Sequence, residues 1–126
     1  MSDKKHRTSL PGAFKYALSG IVQAARRERN LRIELVFAVM ALVASALLAL
    51  QPVEWVLIII LIVLVLSLEL INSVLESVID LASPEIHPLA RYAKDVAAGA
   101  VLVAALGSIA GGCIIFVAAA LRLWGS

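Results

Sequence analysis

The sequence predicts an all-α integral membrane protein, with three transmembrane helices preceded by an amphipathic helix in the interface. Three observations carry that reading. The chain is 62% hydrophobic with a mean hydropathy of +0.98, whereas a soluble domain is about half apolar. The excess falls in blocks, the clearest being residues 55–68, which hold no charge. Eight of the eleven Lys and Arg residues precede position 33, a bias that puts the N-terminus in the cytoplasm. At 126 residues the chain makes one compact membrane-embedded unit, 1–126, with no length for a separate soluble domain.

The elements follow in order. Residues 1–9 read as mobile, and His6 as a surface group. Pro11 suits the first turn of a helix covering about 11–29. Leu10, Phe14, Ala17, Leu18, Ile21 and Ala25 share one face of it, opposite most of the polar side chains. That pattern fits a helix lying in the headgroup layer, or one packed on the protein's own surface. The first span is expected at about 33–50, its helix opening near Arg29. Gln51-Pro52 turns outside the membrane, and Trp55 suits the outer interface. The second span covers about 53–81. Some 20 residues at about 1.5 Å each cross a core of roughly 30 Å, so Glu69 falls just inside the cytoplasmic edge. Ser83-Pro84 and His87-Pro88 break the helix into a cytoplasmic loop. The third helix covers about 89–121, its apolar part opening near Asp95. Ala100, Ala104, Gly107, Ser108, Gly111 and Gly112 give it small-residue faces for close packing. Arg122 and Trp124 end it at the outer interface. The C-terminus is then extracytoplasmic.

Several function classes fall away. The basic start abuts a span and carries no nucleic-acid reading motif. The first apolar block begins too late for a cleaved signal peptide. Cys113 is the sole cysteine, which rules out an intrachain disulfide. No G-x-x-x-x-G-K-[ST] loop or protein-kinase signature is present.

Chemistry concentrates at one depth. Glu69, Asn72, Glu76 and Asp80 are spaced by three, four and four residues, which aligns them on one helix face. Glu28, Arg32 and Glu34 flank the start of the first span, and Lys94 and Asp95 begin the third. A bundle gathers these groups into one cytoplasm-facing site. Ionisable groups in a membrane are costly and usually mark chemistry or ion passage. They also call for partners, and three helices alone leave polar faces against lipid, so an oligomer is expected.

Crowded carboxylates need cations or protons between them. Their oxygens suit Mg²⁺ better than Zn²⁺, and no His or Cys cluster competes. A carboxylate held partly out of water makes a competent general base. Lys94 and a magnesium ion together can neutralise a polyphosphate. These ingredients fit phosphoryl transfer to a molecule dissolved in the membrane. On residue chemistry alone, a cation or proton pathway and purely structural ion pairing stay open.

Four segments carry a resemblance. E-L-I-N-S-V-L-E-S-V-I-D occupies 69–80 and A-R-Y-A-K-D-V-A-A-G-A-V-L occupies 90–102. F-K-Y-A-x-x-G spans 14–20 and E-R-N-L-R-I spans 28–33. Across about 12–117 the chain resembles the small prokaryotic integral-membrane lipid kinases, the diacylglycerol kinase and undecaprenol kinase family. The resemblance implies a homotrimer in the bacterial cytoplasmic membrane, using ATP and Mg²⁺ to phosphorylate a lipid alcohol, with sites shared between subunits. It implies Glu69 as the general base and substrate contact, supported by Asn72. It implies Glu28 and Glu76 as the magnesium and nucleotide ligands. Lys94, Asp95, Tyr16 and the Glu85, Ile86 and His87 loop would hold ATP, and Arg32 and Glu34 would line the lipid side. F-K-Y-A and E-R-N-L-R-I look more like the undecaprenol branch. The diacylglycerol branch commonly has Trp where this chain has Leu18 and a basic residue where it has Ser19. Undecaprenyl phosphate, the lipid carrier of cell-wall precursors, is therefore the expected product, with phosphatidic acid as the alternative.

Overall fold

The computed structural model describes residues 9–125. They form four helices: α1, Leu10–Arg27; α2, Arg29–Leu47; α3, Pro52–Ala82; and α4, Pro88–Trp124. Of the mobile start expected for residues 1–9, residues 1–8, including His6, lie outside the described residues. Ser9 caps α1, its hydroxyl accepting from the Gly12 N–H at 3.4 Å, with Pro11 in the first turn. Arg26 and Arg27 lie in the last turn, where cations complement the carbonyl end. None of α1 is buried, though it rests on both α2 and α3.

A single extended residue separates α1 from α2. Glu28 has φ −103° and ψ 111°, which ends the surface helix two residues before the expected 29. The next helix accordingly opens at Arg29 and stops at Leu47, three residues short of 50. Three of the helices are long and apolar enough to cross a membrane, which makes this a multi-pass membrane protein. The 19 residues of α2 span about 28 Å, close to one hydrocarbon core. The 31 residues of α3 and 37 of α4 reach about 46 and 55 Å, so both extend beyond it. Their polar ends are thereby carried into water or headgroups.

The α2–α3 turn is tight. Ala49 adopts φ 52°, a left-handed conformation that costs a non-glycine residue about 1 kcal/mol. The Leu50 N–H donates to Ser45 O at 3.2 Å, and the fully buried Ser45 hydroxyl donates to Ala41 O at 2.7 Å. Gln51 and Glu54 form a reciprocal capping box at the start of α3, the Gln51 N–H reaching Glu54 Oε1 at 2.8 Å. Just beyond it Leu50, Ile58 and Ala119 make a small core, with Trp55, Ile115 and Phe116 packed around them. Trp55 is thus half-buried against neighbouring helices at this end of the bundle.

The most extensive helix contact is α3 against α4. A Cβ added at Gly111 would lie 3.1 Å from Leu61 Cδ1, so the absent side chain sets that close approach. Ala104 is also buried, but Gly107 and Gly112 meet no neighbour within 4 Å. The small-residue faces of α4 are therefore only partly used within one chain. Phe37, Ile60 and Val103 are among many large apolar side chains left exposed, as expected where lipid or another subunit is the neighbour.

Candidate active site

Glu69 is the one charged residue buried among the described residues, at 4% relative exposure. It lies on α3 directly after the apolar run, and among these residues its carboxylate makes no hydrogen bond or ion pair. Glu34, Glu28 and Glu76 are the charged groups that act on it electrostatically. Helix periodicity brings Glu76 round on α3 itself, while the α1–α2 junction and the first turns of α2 supply Glu28 and Glu34. Three carboxylates from two regions of chain thus lie near enough to Glu69 to act on its charge.

Two neighbouring side chains on α3 orient two of these acids. The Ser73 hydroxyl donates to Glu28 Oε1 at 3.0 Å, bridging 45 positions of sequence. The Asn72 amide donates to Glu76 Oε1 at 3.2 Å, one turn on, and not to Glu69. Asn72 Oδ1 is buried without a partner. Among the described residues no three His, Cys, Asp or Glu side chains converge as a metal-binding group. The donor set is nonetheless oxygen only, and Mg²⁺ is commonly held by one or two carboxylates with substrate phosphates and water completing its shell. Glu28 and Glu76 fit that manner of binding.

A second group lies around the loop between α3 and α4. Asp80, Glu85, Ile86, His87, Arg91 and Lys94 line a polar cavity of about 390 Å³. The loop is held by its own polar groups. Ser83 Oγ donates to the Glu85 carbonyl at 3.1 Å, and His87 Nδ1 accepts from the Leu89 N–H at 3.1 Å to cap α4. Lys94 Nζ pairs with Asp80 Oδ1. Asp95 lies outside this lining and is exposed, paired with Arg91 Nε at 3.5 Å.

An apolar groove of about 360 Å³ runs between α2, α3 and α4. Glu34, Phe37, Leu61, Val65, Ser108 and Phe116 are among its walls, and the Ser108 hydroxyl is buried without a partner. One of the acids around Glu69 therefore also borders an apolar channel, the surroundings a long hydrocarbon chain requires.

Two expected site residues stand apart. Arg32 turns back over the end of α1, where its Nη1 donates to the carbonyls of Ala25 and Arg26, both at 2.9 Å. Tyr16 is exposed on α1 and makes no hydrogen bond with either polar group. Ser73, Arg91 and Ser108 belong to these sites without having been singled out by sequence. Ser73 has a usable signal, since it lies four residues after Glu69 and three before Glu76 on the same helix. In sequence, Ser108 looks only like a small packing residue, and Arg91 only like a marker of the inner side.

The prokaryotic diacylglycerol kinase family profile matches residues 15–116. The chain is 42% identical over 119 residues to an undecaprenol kinase of Bacillus subtilis, covering 92% of this chain and 97% of that one. It is also 42% identical over 105 residues to a diacylglycerol kinase of Synechocystis, covering 82% of this chain and 60% of that one. A diacylglycerol kinase of Escherichia coli K12 shares 32% identity over 108 residues, or 86% of this chain and 88% of that one. The chain belongs to the prokaryotic diacylglycerol kinase family, and is a membrane-embedded lipid kinase.

Proposed function

We propose that this kinase transfers the γ-phosphoryl group of ATP to the hydroxyl of undecaprenol, giving undecaprenyl phosphate and ADP. The observation that carries the reading is the buried, unpaired Glu69, set between an apolar span and three other carboxylates. Similarity to an undecaprenol kinase over 97% of that protein's length favours the polyprenol. Similarity to diacylglycerol kinases keeps diacylglycerol, and phosphatidic acid as its product, as the second reading.

In this mechanism the lipid arrives sideways, its chain along the groove beside Glu34 and its hydroxyl at Glu69. Glu69 accepts the hydroxyl proton as the oxygen attacks the γ-phosphorus. The bond to the β–γ bridging oxygen breaks, and ADP leaves with that electron pair. Transfer of this kind depends on positioning and charge neutralisation more than on covalent chemistry. Glu28 and Glu76 would hold a magnesium ion, which would supply positive charge at the phosphates. Lys94, Asp95 and the Glu85, Ile86 and His87 loop hold the nucleotide, with the cavity between α3 and α4 as its seat. Tyr16 contributes to the nucleotide side from α1, Arg32 and Glu34 serve the lipid side, and Asn72 orients Glu76.

The working unit in this reading is a homotrimer whose sites combine residues of adjacent subunits. The exposed apolar faces of all three spans support that assembly. The N-terminus lies in the cytoplasm and the C-terminus outside, as the cationic start requires. Labelled ATP supplied with undecaprenol or diacylglycerol in separate mixed micelles tests the function. The expected result is magnesium-dependent label in undecaprenol with the higher kcat/KM. A higher kcat/KM for diacylglycerol would move the assignment to the second reading, and no lipid labelling would reject both.

A further inference from the structure

We infer that Ser73 is a positioning residue for Glu28, fixing the orientation of that carboxylate so that its second oxygen stays open to a divalent cation. The inference rests on the reading of Glu28 as a metal ligand. Its starting point is the 3.0 Å bond from Ser73 Oγ to Glu28 Oε1. Glu28 is the one extended residue between α1 and α2, so neither helix fixes its side chain. Its backbone is restrained locally: its N–H donates to Ala24 O at 2.8 Å, and Arg32 covers the carbonyls at the end of α1. The side chain is then anchored across the bundle by Ser73 alone, and no other hydrogen bond to the Glu28 carboxylate occurs among the described residues.

The type of donor matters. A Lys or Arg at position 73 would orient Glu28 equally well but would neutralise it and compete with a cation. A hydroxyl supplies one directed bond and leaves the full negative charge in place. It occupies Oε1 only, leaving Oε2 available. Asn72 treats Glu76 in the same way, with a neutral amide on Oε1 at 3.2 Å. Consecutive residues of α3 thus hold one acid from the junction and one from α3 itself. Such partners of ligating carboxylates commonly control metal affinity by about 10- to 100-fold.

The test compares Ser73→Thr, which keeps a hydroxyl, with Ser73→Val, which has nearly the same shape as Thr without one. Two readouts are taken on the full-length protein in micelles. One is the Mg²⁺ concentration for half-maximal lipid phosphorylation. The other is Mn²⁺ binding, followed by electron paramagnetic resonance with a non-hydrolysable ATP analogue. Val is expected to weaken both by about tenfold while Thr stays within about twofold of the parent. Equal behaviour of Thr and Val in either direction overturns the inference. Glu28→Gln is run alongside. If it weakens metal binding while Val does not, only the role of Ser73 fails. If Glu28→Gln leaves Mn²⁺ binding unchanged, the metal reading of Glu28 fails and the inference with it.

Discussion

Glu54 and Glu69 stand about four turns apart on one helix, and the protein treats them in opposite ways. At the Glu54 end every acceptor is engaged. Arg122 of α4 reaches it with Nη2 to Oε1 at 2.6 Å and Nη1 to Oε2 at 3.2 Å, and the Gln51 N–H shares Oε1. A bidentate guanidinium pair is among the more directional contacts available to a carboxylate. It closes α3 on α4 beside the Leu50, Ile58 and Ala119 core. In the C-terminal half of the helix Glu69 is more deeply buried, has no cation partner among the described residues, and feels three further acids. Burial without pairing is unfavourable for a charge, so this arrangement makes sense where a proton, a metal ion or a substrate completes it. The first turn of α3 uses charge for closure, whereas its C-terminal half leaves a buried charge unpaired, as the proposed chemistry requires.

Substitution at the open end should separate the two most sharply. Glu69→Gln is expected to reduce turnover by about a thousandfold, the scale of a lost general base, with folding and ATP binding retained. Turnover within a few fold of the parent would remove Glu69 from the mechanism. Glu76→Gln should raise the Mg²⁺ concentration needed for half-maximal rate by at least about tenfold, besides slowing the reaction. A magnesium titration that superimposes on the parent's would count against its ligand role. If Lys94 is the charged partner of the nucleotide that we propose, Lys94→Ala should raise the KM for ATP about tenfold or more. The smallest effect on catalysis belongs to the closed end. Arg122→Gln should lower the melting temperature while leaving activity per folded molecule unchanged. Loss of specific activity in a well-folded Arg122→Gln protein would mean that both ends take part in catalysis.

The same contrast governs what is legible in the sequence. The strip from Glu69 to Asp80 follows from helix periodicity, because all its members share one continuous helix. The three spans follow from the lengths of the apolar runs. Contacts between helices follow no such rule. Glu54 and Arg122 are 68 positions apart, and in sequence Arg122 looks like an ordinary interfacial cation. The Ser73–Glu28 bond joins a serine of unremarkable type to an acid 45 positions away. Resemblance puts Arg32 on the lipid side, yet its nearest acceptors are carbonyls freed by the break at Glu28. Periodicity gives the face of a helix, whereas the partner across a bundle depends on crossing geometry that local pattern does not encode.

The claim that the two ends of α3 divide structure from chemistry is tested most directly by where nucleotide protects the protein. In a Cys113→Ala background, single cysteines are introduced by Ala90→Cys in the polar cavity and by Val53→Cys beside the capping box. Each is treated with a membrane-impermeant thiol reagent from either side of sealed vesicles, with and without a non-hydrolysable ATP analogue. Position 90 should react only from the cytoplasmic side and be protected by the analogue, while position 53 reacts only from the opposite side and ignores it. Reaction of both from the same side, or nucleotide protection at position 53, would contradict the account.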